Sequence, residues 1–372
     1  MKKRSICQQS PKGAAPKGGP AKRTDTIGMD LGDKTCRFCV LSKEGVRVEE
    51  GSVVTSKQAM LSTFGARPRC RVVMEVGTHS PWISRLLSAL GYEVFVANAR
   101  RVQLISKSSS KDDRMDAHTL ARLGRIDPEL LRPIRHRCEE AQQDLMAIRV
   151  RAALVDARTK LVNTARNLAK SVGERLPVCD ADNLVPAKLA ELPEYLQQAL
   201  RPLLEQVETL TTQIKARDQH IEQIARIKYP ETELLRQVSG VGPLIALTFV
   251  LTLDDPNRFA QSRDVGCYLG LRPKRADSGE SQPQLHITKE GDIYLRKLLV
   301  QGAHHILHRG PDTDLKRFGL KLAQRGGKNA KKRALVAVAR KLGVLLHCLW
   351  VTGEVYEPLR NSQARSGKPA AA

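Results

Sequence analysis

Between residues 139 and 228 nothing in the chain reads as a β-strand. Instead Leu145, Ile148, Ala152, Val155, Thr159 and Val162 recur at three-four spacing. After a Pro-containing break at Pro177–Pro193 the spacing resumes in Leu203, Val207, Leu210, Ile214, Ile221 and Ile224, with Arg217 as one polar interruption. Apolar residues repeating every three and four positions make a seam on two long helices. Such a segment cannot be threaded into a sheet, so any sheet must lie before it and any further globular region after it. The seam predicts a coiled-coil oligomerisation segment over 139–230 that brings chains together; a helical bundle within one chain is the plainer alternative.

Before the seam the pattern is α/β. Thr26–Leu31, Thr35–Leu41 and Val46–Val54 read as strands, with Gly32-Asp33 as the first turn. Arg71–Val76 is a compact apolar run, like a strand buried on both faces, and Tyr92–Ala97 is another. Helical spacing covers Trp82–Leu90, ended by Gly91, and returns from about Asp112 to Leu123. Three antiparallel strands followed by alternating helix and strand make a sheet domain over 25–138. After the seam, residues 231–358 read as a mainly helical domain, with an apolar run after Pro243, a helix over Tyr294–Leu307 and a basic stretch over 310–345.

The ends differ from both. Residues 1–24 hold seven Lys and Arg, no acid and little apolar surface, so they read as a disordered basic tail, as do residues 359–372. The formal net charge of +23 asks for a polyanion, and nucleic acid fits better than a membrane because no amphipathic anchor accompanies it. Only 4% of residues are aromatic, which argues against a binder that stacks single-stranded bases. With no run of 18 apolar residues and no apolar core near the start, the expectation is a cytoplasmic protein, associated with the nucleoid when acting. The eight cysteines are scattered, and Cys36 and Cys39 read as two ordinary strand cysteines without a second ligand pair. His304 and His308 share a helix face but have no nearby third ligand for zinc.

Four acids break this quiet pattern. Asp30 ends the first strand, Glu75 ends the apolar strand Val72–Val76, and Asp113 and Asp116 lie three apart on a helix start. Four carboxylates gathered together repel unless a cation sits among them, and oxygen-only ligands suit Mg²⁺, or Mn²⁺. An Asp on strand one, a Glu on a middle strand and a paired Asp on a later helix is the order an RNase H-like nuclease requires.

At this point a resemblance becomes specific. Gly28-Met-Asp-Leu-Gly32, Met74-Glu-Val-Gly77 and Lys111-Asp-Asp-Arg-Met-Asp-Ala117 resemble the three acidic blocks of the bridge-RNA-guided DEDD insertion-sequence transposases. Gly240-Val-Gly-Pro243, Arg258-Phe259, Tyr268-Leu-Gly-Leu-Arg-Pro273, Ser278-Gly279, Ile287-Thr-Lys-Glu-Gly291 and Leu295-Arg-Lys-Leu-Leu299 resemble that family's C-terminal transposase domain. The resemblance implies an α/β RNase H-like (RuvC-like) domain, a long coiled-coil segment and a mainly α-helical C-terminal domain bearing a serine nucleophile. It carries Asp30, Glu75, Asp113 and Asp116 over to the metal-binding quartet and Ser278 to the nucleophile; Asp112 is an extra acid beside the pair that keeps the family spacing. By local sequence alone Ser278 would be a turn residue before Gly279. The resemblance further implies donor and target DNA, a structured guide RNA, and a dimer that pairs into a tetramer.

Candidate backbone-binding residues are Arg100, Arg101, Lys107 and Lys111, the turn glycines Gly240 and Gly242, Lys289, Arg296 and Lys297 around Ser278, and Lys328, Lys331, Lys332 and Arg333. Two rival enzymes share parts of this pattern. A RuvC-like junction nuclease would hydrolyse with metal and water and need no serine. A sugar-kinase-like ATPase would use Asp30-Leu-Gly-Asp-Lys-Thr35 as a phosphate loop, but it also needs a second such loop where this chain has heptads.

Overall fold

The computed structural model describes residues 25–98, 113–283 and 285–361, with only the backbone described for residues 113–115. The basic tail, Arg100, Arg101, Lys107, Lys111, Asp112 and the residues after Asn361 lie outside the described residues. The chain divides into two compact units, between Arg137 and Cys138.

The first unit is a mixed α/β sheet with helices on both faces. Strands β1 (Thr26–Asp30), β2 (Thr35–Leu41), β3 (Arg47–Val54), β4 (Arg71–Glu75) and β5 (Glu93–Ala97) lie in the order β3-β2-β1-β4-β5. The first three are antiparallel, whereas β1, β4 and β5 run parallel. The parallel pair β1–β4 is buried on both faces, which is why it reads as continuous apolar sequence. Ile27, Met29, Val72 and Met74 point to one face, where α1 (Lys57–Phe64) and α2 (Ser80–Ala89) contribute Met60, Phe64, Ile83 and Leu87. Val73 and Cys39 point to the other, where α3 (Asp113–Ile126) contributes Ala117, Leu120 and Ala121.

Helix α1 carries too few apolar residues to be read from spacing. Met60 and Phe64 alone are buried, and the helix starts because the Ser56 side chain accepts the Ala59 N–H at 3.2 Å. Cys36 and Cys39 alternate across the sheet, Cys36 packed on the α1–α2 side and Cys39 on the α3 side, so they do not form a ligand pair. Burial raises both thiol pKa values.

The second unit is helical. Two long helices, α4 (Glu139–Ser171) and α5 (Glu194–Lys228), form an antiparallel hairpin, followed by α6 (Glu231–Arg236), α7 (Pro243–Leu253), α8 (Val265–Tyr268), α9 (Ile293–His308), α10 (Asp314–Ala323) and α11 (Ala330–Thr352). Helix α7 is apolar all round and buried throughout Ile245–Leu253, at the centre of the core. Helix α11 is long and apolar enough to cross a bilayer, but Val338, Leu342, Leu346 and Leu349 are buried in that same core.

The hairpin seam differs in part from the sequence expectation. On α5 Val207, Ile214, Ile221 and Ile224 are buried as expected, but Leu200, Leu204 and Thr211 are buried where Leu203 and Leu210 are only half-buried. On α4, Ala152 is half-buried and Thr159 is exposed, while Arg151 and Arg158 reach across instead. Arg151 pairs with Asp218 at 2.7 Å, and Arg158 donates to Thr211 at 3.1 Å. At the base, Asp144 accepts from Lys228 at 2.9 Å and from the Tyr229 hydroxyl at 2.7 Å. Leu145, Ile148 and Val162 on α4 and Val207, Ile214, Ile221 and Ile224 on α5 are buried as the spacing expects, and it misses only where polar residues take part, around Thr159 and at Leu203 and Leu210.

Candidate active site

Strands β1 and β4 run parallel with Met29 beside Met74, and the next residue on each is an acid, Asp30 and Glu75. Both acids are half-buried. Residues two apart on a strand share a face, so Asp30 lies on the side of Gly28, and Glu75 on the side of Val73, the side covered by α3. A Cβ on Gly28 would lie 2.0 Å from the Ala117 carbonyl oxygen and 2.4 Å from the Ala121 nitrogen. Only glycine lets the helix lie this close to the strand.

The helix direction follows from two contacts. Its middle lies on Gly28, while the Arg71 guanidinium, at the start of β4, donates to the Gly124 carbonyl at 2.8 Å. Helix α3 therefore runs opposite to β1 and β4. Its first turn, with Asp113 and the half-buried Asp116, lies at the strand ends that carry Asp30 and Glu75. The structure thus places Asp30, Glu75 and Asp116, with the backbone of Asp113, toward one end of one sheet face. Among the described residues no three His, Cys, Asp or Glu side chains form a closed ion-binding group; the side chain of Asp113 is not among them. Asp30, Glu75 and Asp116 are half-buried and offer only oxygen, a chemistry that fits a hard divalent cation.

The loops behind these acids are pinned. After Asp30, the Gly32 carbonyl accepts from the Thr55 hydroxyl at 2.9 Å. After Glu75, the buried Ser80 hydroxyl donates to the Gly77 carbonyl at 2.8 Å and accepts the Gly77 N–H at 3.0 Å. The His136 Nε2 lies 3.0 Å from that hydroxyl. Burial, with Arg85 and Arg137 adding to it, pushes the His136 pKa down to about 4. His79 spans from one loop to the other, its Nε2 3.3 Å from Asp33 and its Nδ1 accepting the Trp82 indole N–H at 3.1 Å. Sequence reading passed over these histidines. The available signal was His79, four residues beyond Glu75 at a helix start.

In the second unit Ser278 stands at the tip of an exposed ribbon. Ser278 and Ser281 exchange backbone hydrogen bonds at 3.1 and 3.0 Å around Gly279, which has φ of +52°. The strands below are linked by Lys274 N–H to His286 O and Thr288 N–H to Arg272 O, each 2.9 Å. At the base, Cβ atoms on Gly270 and Gly291 would lie 2.1 Å from Glu290 O and 2.0 Å from Tyr268 O, so the two strands cross in contact. Arg296 donates to the Leu269 carbonyl at 3.0 Å and to the Glu290 carbonyl at 2.7 Å, so this half-buried guanidinium holds the ribbon base.

The other candidates divide by exposure. Lys289 is exposed and holds φ of +57°, a strained value for a residue with a side chain. Lys297 is exposed, 3.7 Å from Asp156. Lys328, Lys331 and Lys332 are exposed at the start of α11, and Arg333 folds back to the Gly326 carbonyl at 3.3 Å. Gly240 packs its backbone against the Gly302 carbonyl, whereas space is open at Gly242.

The class of protein, an insertion-sequence transposase, follows from comparison with known families. Residues 27–173 match the transposase family of the IS110 DEDD type, and residues 232–317 match the family described as transposase IS116/IS110/IS902. The chain belongs to this IS110/IS116 group. It is 26% identical over 344 residues to the transposase for insertion sequence element IS1111A of Coxiella burnetii, covering 89% of this chain and 90% of that one. It is 28% identical over 289 residues to the transposase for insertion sequence element IS1328 of Yersinia enterocolitica, covering 76% and 84%.

Proposed function

We propose that the chain is the recombinase of a mobile insertion sequence, cutting and rejoining donor and target DNA through a serine–DNA phosphodiester, with a structured RNA as guide. The observation that carries this is the placement of Asp30 and Glu75 at the ends of adjacent parallel strands, on the face where α3 begins with Asp113 and Asp116. The strand order β3-β2-β1-β4-β5, antiparallel then parallel, supports an RNase H-like fold for this unit. Among the described residues, the helical second unit offers no second phosphate loop of the kind a sugar-kinase-like ATPase needs.

Asp30, Glu75, Asp113 and Asp116 would hold the metal. Mg²⁺ bound there would neutralise phosphate oxygens and lower the cost of the five-coordinate transition state. The Ser278 oxygen attacks the scissile phosphorus, its proton passing to a base or water. A phosphoserine bond forms as the bond to the leaving sugar oxygen breaks, and that sugar departs as a hydroxyl. A hydroxyl from the second DNA then attacks the same phosphorus and releases the serine. One phosphodiester is exchanged for another, so rejoining needs no nucleotide triphosphate.

The exposed ribbon suits Ser278 to reach a phosphate held elsewhere in an assembly. Self-association is supported by a second apolar stripe on α4, where Met146, Val150 and Leu168 are each about half exposed, with Leu154 and Leu161 half-buried between them. A dimer pairing into a tetramer follows from this reading, as does action in the cytoplasm, where the DNA is. Lys289, Lys297, Lys328, Lys331 and Lys332 are placed to grip nucleic-acid backbone without reading sequence.

The test is strand exchange between donor and target DNA, together with mass spectrometry for a nucleotide-bearing peptide containing Ser278. Wild-type protein should yield the adduct. Asp30→Asn should yield neither adduct nor exchange, and Ser278→Ala should lose both while remaining folded. Cleavage that persists in Ser278→Ala would instead favour a junction nuclease acting through water.

A further inference from the structure

We infer that His79 is a positioning residue that sets the separation of Asp30 and Glu75, by tying together the loops that leave β1 and β4; this rests on the metal-binding reading above. The two acids sit on neighbouring strands, but each is followed at once by a loop, and backbone pairing between β1 and β4 ends beside them. Asp30 is paired with Arg37 of β2 and Glu75 with Ala97 of β5, so each acid is held on its outer side, and across the β1–β4 gap their spacing depends in addition on what holds the loops.

Each loop has its own anchor. Leu31–Lys34 is held by Thr55, whose hydroxyl donates to Gly32 O at 2.9 Å and whose N–H donates to Lys34 O at 2.9 Å. Val76–His79 is held by the Ser80 hydroxyl and, behind it, by His136. His79 joins the two anchored loops. Because Nδ1 accepts the Trp82 indole hydrogen, Nε2 carries the ring proton in the neutral form and donates it to the Asp33 carboxylate. The ring is also fixed edge-on to Trp82, with centroids 6.2 Å apart. The chain Trp82–His79–Asp33 thus has one direction of donation and one tautomer.

The pair contributes little to stability. Asp33 is 93% exposed in its side chain, and ion pairs so exposed barely change folding free energy. That separates a positioning role from a structural one. Partners hydrogen-bonded directly to metal ligands change metal affinity by about tenfold to a hundredfold when removed, and His79, which touches Asp33 and Trp82 and acts through the loops, is one step further out.

The experiment is calorimetric titration of the full-length protein with Mn²⁺, paired with thermal melts. Wild type is expected to bind, and Asp30→Asn with Glu75→Gln to lose that binding. His79→Ala is expected to weaken Mn²⁺ by a few-fold, less than the loss of a group bonded directly to a ligand. His79→Gln, whose amide both accepts from Trp82 and donates to Asp33, should stay near wild type. Asp33→Ala cuts the strap from its exposed end without disturbing the Trp82 contact and should match His79→Ala. Melting temperatures of folded variants should agree within a few degrees. Wild-type affinity in both His79→Ala and Asp33→Ala would overturn this inference alone. Absence of Mn²⁺ binding in wild type would overturn the metal reading and this inference with it.

Discussion

The two units hold their candidate residues in opposite ways. In the sheet unit, the acids are half-buried and fixed by strand pairing, by a helix lying on Gly28 and by pinned loops on either side. In the helical unit, Ser278 stands on an exposed turn with open space around Gly279, and only the ribbon base is tightly held. A set of like charges needs a rigid frame, because small changes in spacing alter repulsion steeply at short range. A nucleophile that must reach a phosphate needs a firm base and a free tip. On the proposed function, substitutions near the acids should act through fold and metal affinity, whereas substitutions on the ribbon should act through reach.

The comparison breaks most sharply at Gly28. Gly28→Ala places a methyl 2.0 Å from the Ala117 carbonyl, and overpacking of that kind is expected to cost about 3 kcal/mol, seen as a lower denaturant midpoint. Gly279→Ala, with nothing within 4 Å and only a local φ to strain, should shift the same midpoint far less. Equal effects would mean that the two regions are not built differently.

A smaller effect is expected at the ribbon base. Arg296→Ala removes two charge-assisted bonds to carbonyls and should loosen the ribbon by about 2 kcal/mol. Proteolysis between residues 272 and 288 should quicken, with the thermal midpoint nearly unchanged. A large fall in midpoint without faster cutting would place Arg296 in the global core instead.

The smallest expected effect is a pH slope in the sheet unit. His136 is held neutral in the fold, its pKa pushed down to about 4 from an ordinary value near 6.5. Because the unfolded chain takes up that proton first, the stabilisation is complete above about pH 6.5 and is lost as pH falls toward 4. His347 in the helical unit, also lowered by burial, pushes in the same direction. Melting temperature should therefore fall between pH 7 and pH 5, and His136→Asn should flatten part of that fall.

Much of this was legible in the sequence, and for physical reasons. The parallel strands β1 and β4 are buried on both faces, so their apolar runs ended visibly at Asp30 and Glu75. The three-four spacing announced two long helices. Most of the seam was legible too, but not its middle, because Arg151 with Asp218 and Arg158 with Thr211 bridge the hairpin and leave no apolar mark. Helix α1 escaped for want of apolar residues, and its start depends on a serine cap. Arg296 read as a nucleic-acid contact because a cation next to a basic helix looks the same whether it grips phosphate or two carbonyls. His79 was silent since its partners, Asp33 and Trp82, converge only in the fold.

The proposed function requires that Asp30, Glu75, Asp113 and Asp116 together hold a divalent cation. The most direct measurement is anomalous diffraction from crystals of the protein soaked in Mn²⁺. The expected result is a Mn²⁺ peak in coordination contact with Asp30 and Glu75. A peak confined to another place, such as the exposed His304 and His308 pair on α9, or no ordered Mn²⁺ in the sheet unit, would contradict it.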